Sequence, residues 1–130
     1  MAEYIMKDKI NKLGLSNKFL ITSRATSNEE EGNEMYPKAK KMLTDMNIPI
    51  DKHIARKLKK DEYLKYDYFI CMNESNIKDV KNIFDDKDNK VIKLLDRDIA
   101  DPWYTGDFYT TYYDLVEGIE KFIKIYCKNI

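Results

Sequence analysis

The sequence contains few of the residues that form disulfide frameworks, metal sites and phosphate-binding sites. It has two cysteines, one histidine and, among 23 basic residues, three arginines. Two cysteines make neither the framework of a small secreted domain nor the spacing of a metal site, so we expect reduced thiols and no metal. Lysine lacks the planar fork with which arginine holds a phosphate through two hydrogen bonds, so such contacts are scarce.

Long apolar runs and an excess of one charge are absent as well. No run approaches the roughly 18 residues that a membrane span requires, and residues 1–12 lack the apolar centre of a signal peptide. The 23 basic and 23 acidic residues cancel, so the charge favours neither nucleic acid nor an anionic membrane. The sequence therefore predicts a cytoplasmic protein with no membrane partner, no nucleic acid partner and no cofactor.

The pattern of apolar residues predicts one domain, residues 1–130, because this length suffices for a single core. Apolar residues recur at helical spacing in residues 2–13, 35–46, 75–84 and 112–126, and a short helix is expected at 60–65. Ser75 is the predicted cap of the third long helix. Three short apolar runs, at residues 19–22, 68–72 and 91–95, are typical of buried strands.

Alternating helices and short strands indicate an α/β fold of three layers, in which a short parallel sheet is flanked by helices. The order begins with a helix, whereas each crossover helix of a parallel sheet joins two strands. We therefore expect a sheet that is normally four-stranded and whose first strand is missing. The gap would be lined by Ile21, Ile70 and Ile92, so an isolated monomer is expected to be unstable or to form a homo-oligomer.

A loop with the character of a functional site lies between the last strand and the last helix. Asp101, Pro102, Trp103 and Tyr104 place an acid, a rigid turn and two large aromatic rings side by side. The loop follows a strand, and open α/β sheets bind ligands at the carboxyl ends of their strands. A carboxyl group there can donate a proton while the rings hold a flat substrate; the alternative is an ordinary proline turn beside a half-buried tryptophan.

Five segments in this order resemble the low molecular weight protein tyrosine phosphatases. Met1 to Glu3 look like the start of the helix that follows the family's phosphate loop, and Ser23 to Thr26 with Gly32 are similar to its serine and threonine turn, although Glu34 replaces the usual proline. The other matching segments are His53, Ala55 and Arg56; Tyr68 to Asn76; and Asp101 to Tyr104 with Gly106. The resemblance covers nearly the whole chain.

The resemblance implies a cysteine phosphatase that acts on phosphotyrosine or similar aryl phosphates. In that family a cysteine thiolate attacks phosphorus, and backbone amides with an arginine hold the phosphoryl oxygens. Carried over, Asp101 is the general acid and base, and Trp103 and Tyr104 bind the substrate ring. His53 and Asn73 stand where the family places groups that brace the phosphate loop, and Asn73 replaces the usual aspartate.

The sequence departs from the family at the nucleophile. The family's loop reads cysteine, five residues, arginine, but Ile77 stands six positions after Cys71, and Cys127 has three residues behind it. Cys71 lies in an apolar strand, where burial raises a thiol pKa, so we expect it to be structural. This chain is thus predicted to have no nucleophile and to be inactive as written, with Arg24 and Arg56 solvated at the surface.

Three explanations of the missing loop remain open at this point. The chain is an N-terminally truncated phosphatase, or a non-catalytic pseudo-phosphatase that binds phosphotyrosine or a protein, or a domain completed by another segment or a second copy. An arsenate reductase on the same fold is less favoured, because the chain has no suitably placed second and third redox cysteines.

Overall fold

Five α-helices and one two-stranded sheet form within residues 1–27 and 31–127, the part of the chain that the computed structural model describes. In chain order the elements are α1 (Ala2–Lys12), α2 (Pro37–Asp45), β1 (Phe69–Cys71), α3 (Glu74–Ile83), β2 (Val91–Lys93), α4 (Pro102–Thr105) and α5 (Phe108–Tyr126), with single 3-10 segments at Ser16–Lys18 and Lys60–Leu64. The predicted helices are all present, and α4 is an additional short helix inside the predicted acid loop.

The sheet is parallel, as the sequence predicts. Phe69 is opposite Val91, Ile70 opposite Ile92 and Cys71 opposite Lys93. The helix α3 connects the two strands, which is the crossover that a parallel pair requires.

Alternation along the strands places side chains in two separate apolar clusters. Ile70 and Ile92 contribute to the larger cluster, whose buried members lie mainly on α1, α2, α5 and the segment after β2. The neighbouring residues Phe69, Cys71 and Val91 contribute to a second cluster with α3 and the 3-10 segment Lys60–Leu64. Because successive strand residues point to opposite faces, the sheet is covered on both sides. The three-layer α/β prediction is confirmed.

The long helix α5 covers the larger cluster through a very close contact. A Cβ atom built on Gly118 would lie 2.4 Å from Cγ of Leu94, just after β2. Separations below 3.0 Å are essentially never seen for real Cβ atoms. Glycine at this position therefore allows α5 to approach the end of the sheet.

Two predicted details of the secondary structure are wrong. The cap of α3 is Asn73, whose Oδ1 accepts a hydrogen bond of 2.8 Å from the Asn76 N–H, and the predicted cap Ser75 lies inside the helix. Residues 19–22 do not form the predicted strand, although Phe19 has extended dihedral angles. A strand requires a neighbour, and within the described residues no backbone hydrogen bond joins Leu20, Ile21 or Thr22 to another segment.

A cavity of about 1150 Å³ occupies the space beside this extended segment. Residues 18–27 form one wall and residues 65–72, which include β1, form another, and the first turns of α1 and residues Ile119 and Phe122 of α5 also contribute to the lining. A cavity thus lies where the gap in the sheet was expected; Ile21 and Ile70 line it, whereas Ile92, which was also expected there, does not.

Candidate active site

The acid and both aromatic residues of the predicted site loop line this cavity. Asp101, Trp103 and Tyr104 all contribute to its wall. The indole of Trp103 is 57% exposed and the Tyr104 ring is 80% exposed, so both aromatic surfaces are accessible. The arrangement joins a carboxyl group and flat apolar surfaces at one opening, which suits a ligand that carries a ring.

Local hydrogen bonds give the acid loop its shape. The Asp101 carboxylate caps α4, because its Oδ1 accepts a hydrogen bond of 2.9 Å from the Trp103 N–H. Pro102 occupies the first helical position, where its missing N–H costs nothing. Gly106 ends the helix at a φ of +73°, a conformation that a residue with a side chain rarely adopts. The sequence Asp-Pro-Trp-Tyr-Thr-Gly thus encodes a single capped turn that fixes Asp101 close to Trp103.

A further aromatic residue at this opening, Tyr36, was not predicted. Its ring meets Trp103 at a centroid separation of 4.6 Å and stacks on Phe108 at 5.7 Å. Tyr36 also lines the cavity. Its position immediately before a proline gives no sign of this contact, because the two rings come from segments far apart in the sequence.

A hydrogen-bond network of three residues forms a different part of the cavity wall. The Ser23 hydroxyl donates a hydrogen bond of 2.8 Å to the Glu3 carboxylate and lies 2.7 Å from Nε2 of His53. A hydroxyl has one proton, so Ser23 must accept from His53, and Nε2 must carry the hydrogen. His53 therefore cannot act as a base toward Ser23 in this arrangement, which differs from a serine hydrolase triad. Sequence reasoning missed this serine partner of His53.

The environment holds both titratable members of the network in defined states. Burial lowers the pKa of His53, and the nearby Glu3 charge offsets this in part. Burial raises the pKa of Glu3, but hydrogen bonds from Lys7 and Ser23 outweigh it and leave the pKa below its usual value. The network therefore consists of a neutral imidazole and a charged carboxylate at neutral pH, and it ties α1 to two loops of the cavity wall.

We expect the stability of the protein to fall as the pH is lowered from 7 to 5.5. The unfolded chain binds a proton at the single histidine near its ordinary pKa of 6.5, before the folded chain does, and proton uptake favours unfolding. The stabilisation from neutral His53 is complete above that pH and is lost below it. The urea midpoint at each pH, followed by circular dichroism, measures the effect.

His53→Gln is the matched variant for this measurement, because an amide can still donate a hydrogen bond to Ser23 but does not titrate. Its urea midpoint should change less than that of the wild type between pH 7 and 5.5. A wild-type midpoint that stays constant over this interval would contradict the lowered pKa of His53. The Glu3 contribution is lost only at lower pH, below about 4.5, because its pKa in the folded state is depressed.

Asn73 lies at the start of α3, where its side chain caps the helix as described above. The neighbouring Asn76 lines the cavity, and its Oδ1 accepts a hydrogen bond of 3.3 Å from the Met72 N–H at the end of β1. The two asparagines bond to each other through the cap, so Asn73 contacts the cavity wall through Asn76.

Neither cysteine has the environment of a nucleophile. Cys71 is buried, and burial raises its pKa to about 11, so roughly one thiol in ten thousand is ionised at pH 7. Cys127 is also buried, and burial raises its pKa as well. Both are free thiols.

The two arginines predicted to be solvated, Arg24 and Arg56, differ from each other. Arg56 is exposed, as expected. Arg24 is not: its Nε donates a hydrogen bond of 2.9 Å to the Glu62 carboxylate, and a second guanidinium nitrogen donates to the Tyr66 hydroxyl at 3.2 Å. The prediction of a solvated Arg24 was wrong, because the sequence does not reveal a carboxylate partner 38 positions away.

Within residues 1–27 and 31–127, no group of three or more histidine, cysteine, aspartate and glutamate side chains has an arrangement that could hold a metal ion. No helix in the same ranges combines the length and apolar character that crossing a membrane requires.

Comparison with known proteins identifies the family. The family model described as low molecular weight phosphotyrosine protein phosphatase matches residues 1–130. The chain is 28% identical over 136 residues to low molecular weight protein-tyrosine-phosphatase PtpA of Staphylococcus epidermidis, covering 100% of this chain and 81% of that protein. It is 32% identical over 139 residues to low molecular weight phosphotyrosine protein phosphatase of Gallus gallus, covering 95% and 85%.

Solved structures agree with the sequence comparison. YfkJ from Bacillus subtilis superposes with a TM-score of 0.93 at 26% identity, covering 98% of this chain and 86% of that one. A low molecular weight protein tyrosine phosphatase from Streptococcus pyogenes gives a TM-score of 0.87 at 28% identity, covering 98% and 85%. With a family model matched along its whole length and the same fold in these neighbours, the chain belongs to the low molecular weight phosphotyrosine protein phosphatase family.

Proposed function

We propose that this domain recognises phosphotyrosine or a similar aryl phosphate at the cavity described above, and that Asp101 donates a proton to the leaving oxygen when a nucleophile is supplied. Trp103 and Tyr104 then bind the substrate ring, while His53 and Asn73 brace the wall behind it. One observation carries the proposal: the carboxylate and the exposed indole belong to one capped turn at the cavity opening. Membership of a family that acts on phosphotyrosine supports it.

Hydrolysis also needs a nucleophile, and the 130 residues supply no suitable thiol. Attack on phosphorus requires a thiolate, and burial keeps Cys71 and Cys127 protonated. Neither cysteine is followed by an arginine at the sixth position. We therefore propose that these 130 residues alone bind an aryl phosphate without completing its hydrolysis.

Turnover of para-nitrophenyl phosphate by the purified 130-residue chain tests this, with and without vanadate and beside Asp101→Asn. The expected result is a rate no higher than that of Asp101→Asn, because no cysteinyl-phosphate forms. Vanadate-sensitive turnover that Asp101→Asn abolishes would show that a nucleophile is present, and the reading of Cys71 as inert would be wrong.

Recovery of turnover, rather than binding, separates the two functional classes. A non-catalytic binding module and an incomplete enzyme both bind phenylphosphonate, a non-hydrolysable aryl phosphate analogue. Only the incomplete enzyme gains turnover when the missing part of the site is supplied.

We also propose that the cavity accepts one extended strand, either a preceding complementing segment or a segment of another copy of the chain. β1 makes its ladder bonds with β2 along one edge, so alternate backbone groups of β1 face the opposite side. Residues 19–22 line the cavity, and within the described chain no backbone hydrogen bond joins Leu20, Ile21 or Thr22 to another segment. A strand in this space would pair with both walls and give the four-stranded sheet expected from the order of the elements.

A further inference from the structure

The residue Tyr36 occupies a backbone position that its neighbour determines. It has a φ of −56° and a ψ of 131° and precedes Pro37, the first residue of α2. The ring of a proline disfavours the helical conformation for the residue before it, which favours the non-helical dihedral angles of Tyr36. The start of α2 therefore presents the Tyr36 side chain in a defined direction.

The Tyr36 ring is anchored from behind. It stacks on Phe108 with the ring planes 29° apart. Phe108 is itself buried and packs with Ala39 and Met42 of α2. One side of the tyrosine ring is thus fixed by the junction of α2 and α5.

The other contact of Tyr36 reaches the acid loop. Its ring meets Trp103 at 4.6 Å with an interplanar angle of 66°, an edge-to-face arrangement that aromatic pairs prefer. No other aromatic ring of the described residues contacts Trp103. The rest of the indole is open, and both rings line the cavity.

The helix that carries Trp103 depends on such a contact. It has four residues, far fewer than an isolated helix needs to be stable. Its cap is Asp101, so any movement of the Trp103 backbone also moves the carboxylate bonded to its N–H. Restraint of the indole by Tyr36 therefore extends to the predicted proton donor.

We propose that Tyr36 is a positioning residue that holds Trp103 as a fixed wall of the cleft and thereby favours large flat aryl phosphates over alkyl phosphates. The proposal rests on the function proposed above. An edge-to-face aromatic pair such as Tyr36 and Trp103 favours its own arrangement of the two rings by about fivefold. We therefore expect a change in aryl phosphate affinity of about the same size. A broad planar group contacts more of a fixed indole than an alkyl group does, so the preference grows with the size of the ring.

The single tryptophan of the chain makes the inference directly testable, because all tryptophan fluorescence comes from Trp103. We compare the wild type with Tyr36→Leu and Tyr36→Phe in acrylamide quenching and in titration with 1-naphthyl phosphate, phenyl phosphate and methyl phosphate. In the described residues the Tyr36 hydroxyl has no hydrogen bond, so Tyr36→Phe should match the wild type. Tyr109→Leu, at an exposed tyrosine, is the control for loss of an aromatic ring.

Tyr36→Leu should make Trp103 more accessible to acrylamide and weaken 1-naphthyl phosphate about fivefold. It should leave the affinity for methyl phosphate unchanged, and circular dichroism should confirm that the variant is folded. If the wild type binds aryl phosphates but Tyr36→Leu changes neither the acrylamide quenching of Trp103 nor the preference for aryl phosphates, this inference is overturned. The proposed function then still stands. A wild-type chain that binds no aryl phosphate would overturn the proposed function and the aryl preference together.

Discussion

Arg24→Met should lower the free energy of unfolding by about 3–5 kcal/mol, the cost of leaving a buried carboxylate without its partner. The side chains of Arg24 and Glu62 are 15% and 9% exposed, so water cannot replace the lost guanidinium freely. Burial raises the pKa of Glu62, but hydrogen bonds from the Lys59 N–H and from Arg24 outweigh it and hold the pKa below its usual value. Urea unfolding at pH 7 measures the change.

Two further variants isolate the cause. Adding Glu62→Gln to Arg24→Met should recover part of the loss, because the unpaired charge is then removed. Arg97→Met is the surface control: Arg97 is 49% exposed and pairs with Asp114 and Glu117 on α5. Arg97→Met should lower the free energy of unfolding by about 1 kcal/mol or less. If Arg24→Met cost as little as Arg97→Met, Arg24 would be an ordinary surface residue.

A peptide that forms the missing strand should stabilise the domain strongly. At a concentration of 100 times its Kd, any ligand of the folded state alone adds about 2.7 kcal/mol. For a domain of this size that raises the Tm by roughly 5 °C or more. Apolar side chains line the cavity on both faces of the prospective strand, so the central residues of the peptide should all be apolar. Thermal melts with the peptide Lys-Lys-Val-Ile-Val-Val-Ile-Lys-Lys test this expectation.

The matched control is the same peptide with proline at its centre. Proline removes a backbone donor that a strand in the middle of a sheet must supply. The control should leave the Tm unchanged. Equal stabilisation by both peptides would mean that the cavity takes up apolar material without forming a strand. The strand could also come from a second copy of the chain. Sedimentation at several protein concentrations tests this, because strand exchange between copies would give dimers.

Local patterns predicted the parts of the fold that each segment determines by itself. Ile5 and Ile10 fall on one face of a helical pattern, and both are almost fully buried in α1. The apolar runs around Ile70 and Ile92 are too short for helices and form β1 and β2. The acid loop was predicted as a proline turn, whereas the short helix α4, which Asp101 caps and Pro102 begins, was not predicted.

Features that depend on a distant partner were missed. Residues 19–22 have the composition of a strand, yet a strand exists only with a hydrogen-bonded neighbour. The Ser23 contact with His53 spans 30 positions, and the Tyr36 contact with Trp103 joins the start of α2 to α4. No periodicity or spacing in one segment encodes such pairs, and the same holds for the ion pair of Arg24.

Gly118 determines more than the closeness of α5 to the sheet. Successive residues of an α-helix are rotated by about 100°, so a turn of α5 by one position would bring a side chain into the contact with Leu94. The glycine thereby fixes the rotational setting of the whole 19-residue helix. That setting directs Ile119 and Phe122 toward the cavity. Gly118, on the side of α5 that faces the sheet, thus controls which apolar groups an incoming strand would meet.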